Sequence, residues 1–348
     1  MKQGKTSGLH GARLRALLVI AFLAVVAGGC GPLREIVSPT APAVTGQWAE
    51  LVRDIRVFER DIGFAATDNF ADLARGQAAF PVCGFVSPLV LPYSYEDAAI
   101  QWRDVTTEDE CRAQAQDADM HFHEVEAWGE IGVSITPSML SGKLDRFIYV
   151  VIHEDCHDQF ALPYGIEEAL CDVITHKAMA AFATQTYGAG SHEERAIRRY
   201  ADAQAKLARA LIAIYGRLAA LYTRHAQREI TADELLRERT AIFGDAGSEL
   251  GWKSNRINNA GIADHMTYSR HYPLLESVYE ALGRDLARTV AFFKRVDEAK
   301  PAGPAGAAPQ RVGGEHSTEY IRAYESTLIE RVRRALASAT PGATARVP

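Results

Sequence analysis

The chain has 348 residues, 47% of them hydrophobic and 24% charged, with four Trp. That length and composition suit one large or two small globular domains and exclude general disorder. The formal charge of −6 becomes −10 once the first 29 residues, with four basic and no acidic side chains, are set aside. A chain that acidic excludes a nucleic-acid partner gripped by a basic surface.

Residues 1–29 read as a leader. Lys2, Lys5, Arg13 and Arg15 form a positive region, Ala16 to Ala27 is an apolar run, and Gly28-Gly29-Cys30 follows at once. Small residues directly before a Cys resemble a bacterial lipobox, although Ala27 stands where Leu is usual. The expectation is lipidation of Cys30, with a plain cleaved signal or an uncleaved anchor as the alternative. The run is shorter than the about 20 apolar residues of a membrane span. Gly31 after the Cys favours the outer membrane, with the protein facing the periplasm of a bacterial envelope. Residues 30–47, rich in Pro, Ser, Thr and Ala, read as a flexible tether.

From Trp48 to Phe64 apolar residues recur at helical spacing (Leu51, Ile55, Phe58, Ile62), so a folded domain over 48–300 starts here. A short helix is expected from Asn69 to Ala79. Residues 80–143 have the Pro, Gly and β-formers of a small sheet, with Tyr95 to Gln116 helical and Met120 to Pro137 forming one or two strands. Trp128 to Ile135 is the candidate edge strand for holding an extended peptide. His121 and His123 alternate with Phe122 and are read as solvent-facing rather than as a second metal site. With Cys30 lipidated, Cys83, Cys111, Cys156 and Cys171 remain. In an oxidising envelope their spacing suggests bridges Cys83–Cys111 and Cys156–Cys171; the alternative is four small buried hydrophobes.

A central helix from about Leu144 to Ala161 leads into His153-Glu154-Asp155-Cys156-His157, an HExxH pattern. Residues four apart project from one helix face, so both imidazoles can reach one metal ion, with Glu154 beside them as general base. Pro163-Tyr164-Gly165 turns the chain into a second helix, Ile166 to Ala183. A catalytic zinc needs a third protein ligand from such a neighbour. Glu168 is the best candidate, because Asp172 follows four residues on and can hydrogen-bond a ligand histidine. Glu167 and His176 are the rivals.

Beyond the loop at Tyr187 the pattern is nearly all helical. Ser191 with Glu193-Glu194 caps a segment to about Gln227, Thr231 with Glu234 is a capping box, and Tyr272 to Lys300 is a third helix. Between them Gly251 to His271 is polar and less regular. It offers Tyr268 as a donor for a tetrahedral oxyanion, with His265 and His271 as alternatives. Residues 301–316 form a Pro/Gly/Ala linker, and 317–348 a C-terminal helix (Thr318 to Ala337) with a tail. The fold class is α+β and mostly helical: a sheet-containing part at about 80–143 precedes the HExxH helix in a helical part at about 144–300.

The residues from Phe80 to Val296 resemble the bacterial zinc aminopeptidases, gluzincin-like envelope lipoproteins. The likeness rests on Phe80-Pro81-Val82-Cys83-Gly84, Val125 to Leu140 with its Pro137-Ser138-Met139-Leu140 end, the HEDCHDQ stretch, Ile166-Glu167-Glu168-Ala169, Asn258-Asn259-Ala260, Tyr268 and Pro273. It implies a zincin-like fold, with zinc on His153, His157 and Glu168 and Glu154 as base. Two departures stand out: HEDCH replaces a more apolar HELAH core, and Glu167 stands where Asn is usual. The Gly-x-Met-Glu-Asn element by which other gluzincin aminopeptidases grip an amino terminus is absent; Glu167 or Glu126 are the available substitutes. The expected function is therefore a zinc peptidase acting on peptides and anchored to the membrane by lipid, most simply an aminopeptidase. A zinc endopeptidase and a non-catalytic metal-binding envelope lipoprotein are the alternatives.

Overall fold

The computed structural model describes residues 46–74, 80–125, 133–252, 257–301 and 317–339. The leader, Cys30, nearly all of the tether, Glu126, most of the candidate edge strand and the 302–316 linker lie outside them.

Two helices make the centre. Helix α4 (Leu144–His157) buries Phe147, Ile148, Val150, Val151 and Ile152. Helix α5 (Tyr164–Tyr187) buries Ile166, Ala169, Leu170, Val173, Ile174, Ala178 and Phe182, leaving almost no polar face. A helix apolar all round must lie inside the protein. Each fully buried Ile, Leu or Phe contributes about 1.5–3 kcal/mol, enough to offset the polar groups buried on the same two helices. Cys156 and Cys171 are bridged, with Cα atoms 5.6 Å apart, joining α4 to α5.

Other elements close around this pair. Helix α1 (Gly46–Asp61) packs against α4, with Trp48 4.5 Å from Phe147 between ring centroids, and its Phe58 meets Phe182 of α5 at 5.7 Å. Helix α6 (His192–Ala226) is capped by the Ser191 side chain, and α7 (Ala232–Leu250) by the Thr231–Glu234 box. Helix α11 (Thr318–Ala339) adds Leu328, Ile329, Val332 and Leu336 to the main core. Its Glu325 is 2% exposed and accepts hydrogen bonds from Tyr93 Oη at 2.7 Å and His271 Nε2 at 2.8 Å. Among the described residues no helix is long and apolar enough to cross a membrane.

The sheet is small and antiparallel: β1 (Phe80–Val86), β2 (Gln101–Arg103) and β3 (Asp119–Val125) in the order β2-β1-β3. A Cys83–Cys111 bridge fastens β1 to α2 (Glu108–Ala115). Trp102 lies so close over Gly84 that a Cβ there would come within 2.6 Å of its ring, and Trp102 in turn packs on Tyr95 at 4.2 Å between centroids.

The elements differ from expectation in several places. Asn69 to Ala74 is turn and bridge, not helix, because Asn69 and Asp72 are spent on bonds to Val133 and Ile135 across the chain. Within Tyr95 to Gln116 only α2 is helical; β2, turns and bends make up the rest. Short α3 (Pro137–Ser141), capped by Thr136, occupies the end of the expected strand region, where Ile135 makes only an isolated bridge to Leu73. Tyr272 to Lys300 is two helices, α9 (Tyr272–Ala281) and α10 (Leu286–Glu298). Gly283 and Arg284 both take positive φ, and Asp285 caps the restart. The polar stretch before α9 is a helix too, α8 (Asn259–Ser269), capped by Asn258 and buried on most sides. Asp264, His265, Tyr268 and Ser269 of this helix line a cleft.

Candidate metal centre

Four-residue spacing on α4 and the turn at Pro163 bring three donor groups together. His153 Nε2 lies 3.2 Å from His157 Nε2 and 3.2 Å from Glu168 Oε2; His157 Nε2 lies 3.3 Å from the same oxygen. All three residues are buried. A tetrahedral zinc with bonds of about 2.0–2.2 Å spaces its ligand atoms about 3.3–3.6 Å apart, so the triangle fits that ion.

A second carboxylate lies on the opposite side of each imidazole. Glu167 Oε1 accepts from His157 Nδ1 at 2.9 Å, and Glu167 Oε2 accepts from the Leu162 backbone N–H at 2.8 Å. Asp172 Oδ1 lies 3.4 Å from His153 Nδ1, without hydrogen-bond geometry, and accepts from Tyr149 Oη at 2.6 Å. The bond from Glu167 turns the His157 Nε2 lone pair toward Glu168. Tyr149 also stacks on His153 at 5.1 Å, and Tyr164 hydrogen-bonds Glu168.

The electrostatics ask for a cation. Burial opposes a charge on Glu168, but His157 and His153 more than offset it and hold the carboxyl well below the usual range. Burial lifts Asp172 to about 6 despite His153 and Tyr149. Glu154, Glu167, Glu168 and Asp172 thus crowd two imidazoles, an excess of acidic groups that a divalent ion would offset.

The centre opens on a cleft of about 350 Å³, lined among others by Glu154, Tyr95, Tyr164, Tyr268, Asp264 and the α6 side chains Gln204, Leu207 and Leu211. Tyr268 lies 6.5 Å from His153 between ring centroids. Burial first, then Glu168, raises its hydroxyl well above the usual value, so it stays a donor. A second group, His121, His123 and Asp264, reaches the same cleft through His123 and Asp264.

Several expectations are corrected here. Glu167 holds His157 and is not the third donor. His176 bonds Tyr272 Oη at 3.0 Å instead. It lies eight residues beyond Glu168, about 12 Å along the helix, too far to share an ion. His271 is committed to Glu325, away from the cleft. His121 and His123 are not solvent-facing: they pack against α8. Tyr149 and Tyr164, each four residues before a donor, were readable from that spacing and were missed. Tyr95 carries no such signal.

A family model described as "Putative aminopeptidase" matches residues 65–304, which include the whole centre. The chain belongs to this aminopeptidase family. Membership points to peptidase chemistry and so to peptide substrates. No curated protein and no solved structure matches the chain. Both departures from the resemblance have local partners. Asp155 accepts from Thr67 Oγ1 at 2.5 Å and Asn69 Nδ2 at 2.9 Å, and Cys156 is bridged. Glu167 supplies the buried acceptor for His157.

Proposed function

We propose that this chain is a zinc-dependent aminopeptidase of zincin-like type, lipid-anchored at Cys30 on the bacterial envelope. One observation carries the reading: two imidazole nitrogens and one carboxylate oxygen, from two helices, converge within 3.2–3.3 Å. His153, His157 and Glu168 would hold the ion. Zinc, when bound, supplies Lewis acidity that polarises the scissile carbonyl and makes water acidic at neutral pH.

The chain's own groups do the rest. Glu154 lies on the cleft wall, where its carboxylate accepts the proton of the attacking water and returns it to the leaving amine nitrogen. Tyr268 donates its hydroxyl proton in a hydrogen bond to the developing oxyanion and keeps that proton afterwards. Glu167 keeps His157 in the tautomer whose Nε2 is free to ligate, and Asp172 places a carboxylate 3.4 Å from His153 Nδ1. Glu167 is therefore not available to grip the substrate's amino group, which falls to other groups of the cleft.

The test pairs zinc analysis of the purified full-length protein with digestion of matched peptides whose amino termini are free or acetylated. Zinc with cleavage of free peptides only is expected. Glu154→Gln should keep the metal and lower kcat by about 10²–10⁴-fold. Internal cleavage of acetylated peptides would make the protein an endopeptidase, and zinc without cleavage a binding lipoprotein. Absence of zinc would overturn the proposal. Labelling with radioactive palmitate, lost in Cys30→Ala, tests the anchor.

A further inference from the structure

We infer that the cleft holds a second divalent-metal site, built from His121, His123 and Asp264. The two histidines alternate on β3, so both side chains leave the same face of the sheet, while Phe122 goes to the opposite side among Cys83, Val105 and Cys111. That face meets α8, where Asp264 waits. One ligand atom from each of the three residues lies within 4.8 Å of the others. His121 Nε2 is 3.3 Å from Asp264 Oδ2, and the two imidazole rings are 4.8 Å apart. His123 Nδ1 is buried and has no hydrogen-bond partner among the described residues.

The framework around the three residues is fixed on both sides. Asn258 Nδ2 donates to Met120 O at 2.6 Å, and the Asn259 backbone N–H donates to Asp119 Oδ2 at 2.9 Å, so β3 and α8 are pinned in register. Arg239 bonds the same aspartate. Gly261 gives His121 its seat: a Cβ there would stand 3.1 Å from His121 Nδ1. An unpartnered imidazole nitrogen alone does not mark a metal site, since His176 Nε2 is buried and unpartnered too; here it stands beside a second imidazole and a carboxylate. Two imidazole nitrogens and one carboxylate oxygen are the donor set of a first-row divalent ion such as zinc. His123 and Asp264 line the cleft, so the ion would face it. The two donor triads share no residue, so this site stands apart from the HExxH proposal.

Chelator-stripped full-length protein is titrated with zinc alone and bound metal counted after equilibrium dialysis. Two equivalents are expected for the unchanged chain, and one each for Asp264→Asn and His123→Gln. One equivalent should also remain in His157→Asn/Glu168→Gln, which loses only the HExxH donors. Circular dichroism checks that each variant is folded. A second-site failure reads as one equivalent in the unchanged chain and none in the double variant; that result overturns this inference and leaves the HExxH centre standing. One equivalent in both leaves this site and removes the other. Two equivalents untouched by Asp264→Asn and His123→Gln also overturn it.

Discussion

At the scale of single residues the site is a set of commitments. Tyr268 lines the cleft, and its proton is held tightly by burial beside Glu168. Tyr268→Phe is expected to lower kcat by about 10²–10³-fold while KM and zinc content change little, the mark of a donor used only in the transition state. Steady-state kinetics beside metal analysis decides it; a change confined to KM would give Tyr268 a binding role. His153, Glu154 and His157 were legible because helical spacing alone puts them together. Glu167 and Glu168 were harder to tell apart. Neighbours on a helix point about 100° apart, and only the position of Leu162 and the turn at Pro163 decides which one faces the two Nε2 atoms. Tyr95 was not legible at all, since its place depends on Trp102 lying over Gly84 and on Thr267 Oγ1 accepting its backbone N–H at 2.9 Å.

At the scale of elements, α8 is where sequence reading and structure part most widely. Its Asn, Asp, His and Thr suggest an irregular surface stretch, yet Asp264 and His265 line the cleft, while Asn259 donates to Val90 O and Thr267 accepts from the Tyr95 N–H inside the protein. Asn258 explains why a helix forms there: its side chain accepts from the Gly261 N–H at 3.0 Å and donates to β3. Asn258→Ala removes both bonds and is expected to cost about 1–2 kcal/mol, read as a lower midpoint in urea unfolding. A midpoint unchanged from the unmodified protein would mean that α8 is held by packing alone. The α9–α10 break, by contrast, was written in the sequence as Gly283 before a capping Asp285. Strong apolar periodicity on both sides hid it.

At the scale of the whole molecule, the back of α4 carries a charge problem of its own. Glu59 of α1 is 4% exposed, and burial, then Asp155, raises its carboxyl to about 9. The folded state therefore keeps a proton that the unfolded chain releases near 4.5. Stability is lost as pH rises from about 4.5 to about 9 and levels off above. Glu59→Gln keeps a donor toward Asp155 and removes that loss. Its melting temperature should exceed that of the unmodified protein by a margin that widens with pH across this window, on the order of 1–3 kcal/mol at pH 8. Parallel melting curves from pH 5 to 9, with no widening, would show Glu59 to be ionised in the fold.

The Cys156–Cys171 bridge sits one residue from His157 on α4 and one residue from Asp172 on α5. Any ion on His153, His157 and Glu168 therefore shares its two supporting helices with a covalent clasp buried in the core. By thermodynamic reciprocity, whatever the closed clasp adds to metal affinity the metal must return as resistance of the clasp to reduction. Thiol trapping at equilibrium in a dithiothreitol redox buffer should then find less reduced clasp in zinc-loaded protein than in stripped protein. Equal fractions would mean that redox poise and metal supply act on this protein independently.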